Sequence, residues 1–67
     1  MRADRVEVSW DANKKTWVVR IQAGEDVIRR NCDVPEAAME PAIRLAAQQT
    51  TRDEGYEADI MQVTIHR

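Results

Sequence analysis

Val6-Glu7-Val8-Ser9-Trp10-Asp11-Ala12-Asn13-Lys14-Lys15-Thr16-Trp17-Val18-Val19-Arg20-Ile21 is the stretch that decides the fold. Val6, Val8 and Trp10 alternate with Glu7, Ser9 and Asp11, and Trp17, Val19 and Ile21 alternate with Val18, Arg20 and Gln22. That is the period of two of half-buried strands, here over residues 5–10 and 16–22. Between them Asp11 and Asn13 can bond their own backbone and tolerate left-handed geometry, so residues 11–15 read as a tight antiparallel turn. Both tryptophans fall on the apolar side of the hairpin.

Moving outward, Ala23-Gly24-Glu25-Asp26 supplies a second turn, with Gly24 suited to positive φ. A third strand over residues 27–32 alternates less cleanly: Ile28, Arg30 and Cys32 share one face, and Val27, Arg29 and Asn31 the other. An arginine on the core side fits an edge strand, where its stem lies along the sheet and its head reaches water. Residues 1–4 are polar and expected to fray.

The period changes after Cys32. Asp33 and Glu36 have the spacing of a capping box, and Pro35 is tolerated in a first turn. A helix over residues 36–51 would bury a small, alanine-rich stripe of Ala38, Ala42, Leu45, Ala46 and Gln49, flanked by Met39 and Ile43, leaving room for the two indoles. Pro41 interrupts this segment, since inside a helix proline costs about 3 kcal/mol. The chain reads as one helix bent at residues 37–41; in the alternative, residues 33–39 form a short turn and the helix begins with Pro41. Gly55 can close the helix in the left-handed region. After a loop through Asp59, residues 60–66 alternate again as a fourth strand, with Met61, Val63 and Ile65 on one face.

The order β-β-β-α-β describes a single α+β domain over residues 1–67. The first three strands run up, down and up, so a fourth that follows a crossover helix runs parallel to the first. Placing it beside strand one gives a mainly antiparallel four-stranded sheet in the order 3-2-1-4, with the helix on one face. Strand four, rich in β-branched residues, is then the edge expected to receive a second copy of the chain.

Length sets a further bound. A chain of 67 residues buries only roughly 60% of its unfolded surface. Cys32 is the single cysteine, so no internal disulfide can help, and with His66 it is too little for a cysteine–histidine zinc site. Self-association as a homodimer is the remaining aid, with a tightly packed monomeric core as the alternative. An apolar fraction of 43% and a charged fraction of 33% suit a globular domain, and no run approaches a membrane span of roughly 20 apolar residues. Residues 1–5 are too polar to open a signal peptide, so a cytoplasmic address is expected. Net charge is −2, but residues 1–31 carry seven Lys or Arg against five acids, and residues 32–67 three against seven.

Val-x-Val-x-Trp-Asp, a short polar turn and Trp-Val-Val, followed by a third strand and a helix, resemble the small HicB-like domains with their partial ribonuclease H-like arrangement, over residues 6–50. The turn at Ala23-Gly24-Glu25-Asp26 lacks that family's usual proline. The resemblance implies a module that binds another protein, as the family's antitoxins bind a toxin; the separate DNA-binding segment those antitoxins carry is not expected here, because the chain ends too soon for it. The hairpin Asp-x-Asn-Lys-Lys-x-Trp is also similar to that of a small phage-encoded inhibitor of host RNA polymerase. Neither likeness carries over an active site, because the matching residues are framework.

The residues themselves offer little chemistry. His66 reads as a solvent-facing strand residue, since a metal site or triad needs partners at defined spacing. Cys32 stands near a helix start, which can activate a thiol, but cysteine is more often a small buried apolar residue. Asp53, Glu54, Glu57 and Asp59 read as a solvated loop without calcium-loop spacing, and two glycines cannot build a phosphate-cradling loop. No catalytic, cofactor or metal residue is assigned, and no enzyme is expected. What remains is an open sheet face carrying Glu7, Ser9, Val18, Arg20, Val27, Arg29, Gln62, Thr64 and His66. Lys14, Lys15, Arg20, Arg29, Arg30, Gln62, Thr64 and His66 form the candidate interaction surface, for an unknown protein partner first. A nucleic-acid backbone is the competing class, weakened because both tryptophans face inward and cannot stack on bases.

Overall fold

In a computed structural model describing residues 2–66, the chain forms β1 (Arg5–Asp11), β2 (Thr16–Ala23), β3 (Asp26–Cys32), α1 (Glu40–Asp53), a 3₁₀ turn (Ile60–Gln62) and β4 (Val63–His66). The strands lie in the order β3-β2-β1-β4, antiparallel except for the parallel pair β1 and β4. The alternation in the hairpin produces this directly. Val6, Val8, Trp17, Val19 and Ile21 are buried under α1, and the residues between them face the other way.

Each turn has a local cause. Asp11 accepts the N–H groups of Asn13 and Lys14 at 3.0 and 3.2 Å, fixing the loop between β1 and β2. Its left-handed residue is Lys15 (φ 53°) rather than Asn13. Gly24 takes φ 61° between β2 and β3, where a side chain would be strained. Gly55 (φ 89°) ends α1: its N–H donates to Arg52 and that of Tyr56 to Thr51, the paired bonds of a Schellman closure.

Several expectations are corrected. The helix does not run from residue 36 through a bend. It starts at Glu40 with Pro41 in its first turn, capped by Met39 without a side-chain bond, so the Asp33–Glu36 box does not form. Proline settles the matter, because its fixed φ and missing N–H cost nothing at a helix start. The buried stripe is also rotated: Ile43, Ala47 and Thr51 are enclosed, while Leu45 and Met39 are exposed. Thr51 can lie in the core because its hydroxyl donates to the Ala47 carbonyl at 2.8 Å.

The fourth strand is shorter than residues 60–66, because Asp59 caps a 3₁₀ turn. Its side chain accepts from Met61 at 3.3 Å, and Gln62 reaches back to the Asp59 N–H at 2.9 Å. Met61 is consequently exposed, while Val63 is buried and Ile65 packs on the core. Nor do residues 2–4 fray. Ala3 is buried and bonds to Glu57, Asp4 bonds to Gln22, and the Asp4 carboxylate accepts the Gly24 N–H at 2.7 Å; Met1 lies outside the described residues.

Candidate functional site

With α1 on one side, the register sorts the other face of the sheet into rows. Arg29, Arg20, Glu7 and Thr64 stand side by side across β3, β2, β1 and β4. Asn31, Val18, Ser9 and His66 form the next row, and Val27, Gln22 and Arg5 the row on the other side. None of these residues is buried.

Glu7 is the hub of the face. Its carboxylate lies 3.3 Å from Arg5 Nε, 3.8 Å from Arg20 Nη1 and 3.8 Å from His66 Nε2. Such partly solvated pairs are worth about 0–1 kcal/mol each, so they organise charge more than they stabilise the fold. Two carboxylates, Glu7 and Asp11, share the face with Arg5, Arg20 and Arg29, which leaves it weakly cationic. Arg20 Nε is shielded from water and has no acceptor, so Glu7 does not saturate the guanidinium. Beside it, Ser9, Trp10, Asp11, Val18, Arg20 and Arg29 line a shallow groove.

Of the residues singled out from sequence, Arg20, Arg29, Thr64 and His66 come together on this face. Lys14 and Lys15 sit at its end, in the turn after β1. Arg30 does not belong to it. Alternation turns its side chain toward α1, where its guanidinium pairs with Glu54 at 2.8 Å and donates to the Arg29 carbonyl at 2.8 Å. Gln62 precedes β4 and is held by the cap at Asp59, with Arg2 donating to it at 3.4 Å. Arg5 was missing from the candidate set, although it stands two residues from Glu7 on the same strand face. Trp10 opposite Trp17 implies Glu7 opposite Arg20, so the hairpin's register alone places the centre of the face.

Cys32 is buried at the end of β3. Burial pushes its thiol up and nearby Asp33 adds to this, while a hydrogen bond with Thr50 opposes it. The thiol is therefore protonated at neutral pH, which disfavours nucleophilic use. Among the described residues, no group of three or more His, Cys, Asp or Glu is placed to hold a metal, and no helix is long and apolar enough to cross a membrane.

The chain matches no protein-family model, no curated protein and no solved structure with which it was compared.

Proposed function

We propose that this chain is a small, non-enzymatic protein-interaction or regulatory module that works as a homodimer in the cytoplasm, and that its open sheet face receives an acidic segment of a protein partner. The observation that carries this is the row Arg29–Arg20–Glu7–Thr64, lying uncovered beside Val18 while α1 occupies the opposite face. Planar guanidinium groups on a strand face suit carboxylates, and Val18 with the arginine stems offers apolar area between the charges. The likeness to HicB-like domains supports a protein partner in the same way.

Nucleic acid is the competing partner, favoured by Arg20 and Arg29 with Lys14 and Lys15 at the rim. Against it stand the carboxylate of Glu7 in the centre and the enclosure of Trp17, which cannot stack on a base. Titrating the protein with a fluorescent Asp/Glu-rich peptide and with a DNA oligonucleotide, each over a salt series, separates the two. Peptide binding that is lost in R20E/R29E supports the proposal. Binding to DNA alone, with a steep fall as salt rises, overturns it in favour of the nucleic-acid reading.

A further inference from the structure

The two edges of the sheet are not equally open. Gln22 accepts the Asp4 N–H on the β1 side of β2, so the backbone groups of Gln22, Arg20 and Val18 point to β1, and those of Ala23, Ile21 and Val19 point to β3. In β3 the groups of Asp26, Ile28 and Arg30 therefore point to β2, and those of Val27, Arg29 and Asn31 point outward. All but Ile28 and Cys32 in this seven-residue strand are exposed. β4, at the other edge, has only four residues, and Val63 is already occupied on both sides: its N–H donates to Ile60 and its carbonyl accepts from Arg44. Alternation leaves Ile65 as the outward residue of β4 among those described. β3 therefore offers the longer free edge, whereas the β4 edge expected from sequence offers Ile65 among the described residues.

We infer that two copies join antiparallel through β3 about a two-fold axis at Ile28, making one eight-stranded sheet. This rests on the homodimer reading above and names its surface. Charge selects the register. An axis at Arg29 or Arg30 would set a guanidinium against its own copy, and an axis at Val27 or Asn31 would run most of the pairing off the strand, into the turn at Gly24 or the loop after Cys32. An axis at Ile28 sets Asp26 opposite Arg30 of the second copy, twice over, and Val27 opposite its Arg29. It also satisfies the hydrogen bonds. Val27 and Arg29, which point outward, exchange N–H and C=O groups, while the two Ile28 side chains meet at a closely spaced non-bonded pair.

Arg30 is the guard of this edge. Its Nη1 covers the Arg29 carbonyl that the second copy's Val27 would use, and when the strands pair it exchanges that carbonyl and its contact with Glu54 for Asp26 of the second copy. The axis stands perpendicular to the sheet, so both helices lie on one side. The open faces then merge, bringing Arg20 and Arg29 of each copy into one cationic band.

The test is solution mass by light scattering over a dilution series, for the wild type, D26R, R30D and D26R/R30D, with circular dichroism to verify folding. A wild-type dimer is expected, weakened about tenfold or more by either single reversal and restored in the double. In a C32A background, I28C should form a disulfide-linked dimer on mild oxidation, and T64C, on the opposite edge strand, should not. A wild type that is monomeric throughout overturns the homodimer reading and this inference together. A wild-type dimer indifferent to D26R and R30D, or one in which the I28C variant fails to cross-link, overturns the β3 interface alone and leaves the homodimer standing.

Discussion

Trp10 stands directly opposite Trp17 across β1 and β2, and the two rings meet edge to face with centroids 5.4 Å apart. They are not equivalent. Trp17 is 1% exposed and donates its indole N–H to the Pro35 carbonyl at 3.1 Å, tying the loop before α1 to the sheet; Trp10 is only half-buried. Removing an enclosed tryptophan costs about 3–5 kcal/mol, comparable with the whole stability of a small domain. W17A should therefore be largely unfolded at 25 °C without denaturant, while W10A folds with a lowered urea midpoint. Urea titration followed by far-UV circular dichroism decides it. Equal midpoints for the two variants would contradict the asymmetric burial.

The same pair explains how much of the fold was legible. Strict alternation around two tryptophans made the hairpin and the face each residue takes legible, and the parallel return of β4 followed from the crossover; the register, which a two-residue slip would change without altering any face, came from the structure. The helix was harder. A stripe of Ala38, Ala42 and Leu45 looks apolar, but the packed face depends on where the helix starts, and that rested on Pro41. Thr51, polar by type, is buried because it bonds to its own helix, which residue type alone conceals. On the candidate face, Arg20 and Arg29 were readable from period, and so was the absence of Arg30, which alternation sets with Ile28 and Cys32 on the helix side; only its pairing with Glu54, twenty-four residues away, needed the fold.

Cys32 should make stability fall in alkali. Its thiol is raised from an ordinary 9.0, chiefly by burial. Below that value both states hold the proton. As the pH rises through it, the unfolded chain releases its proton first, so the folded state binds more protons and the free energy of unfolding declines until the folded thiol ionises too. Urea midpoints measured from about pH 7 to about pH 10 should show a steeper decline for the wild type than for C32A. Parallel profiles would mean the thiol does not contribute.

Glu7 should matter more for charge than for stability. It is the shared partner of Arg5, Arg20 and His66, and those three side chains are 65%, 38% and 57% exposed. Solvent screening at such exposures limits the loss from E7Q to about 1 kcal/mol or less. Its removal leaves Arg20 and Arg5 uncompensated, so E7Q should be retained more strongly on an anionic exchange matrix and elute at higher salt than the wild type. A loss of several kcal/mol on urea titration would show that the hub is structural.

Pro41 gives the sharpest test of where the helix begins. Within a helix interior its replacement by alanine should relieve a clash and restore a hydrogen bond, raising stability by about 3 kcal/mol. In the first turn of a helix running Glu40–Asp53 there is no such bond to recover. Proline there restricts the unfolded chain at no cost to the folded one, so P41A should lower stability by about 0.4–1 kcal/mol. Ala47, by contrast, lies fully buried in the helix interior, and A47P should prevent folding. Opposite signs for the proline removal therefore separate a helix that starts at this residue from one that bends there, and a stabilised P41A would return the start of α1 to the residues before Met39.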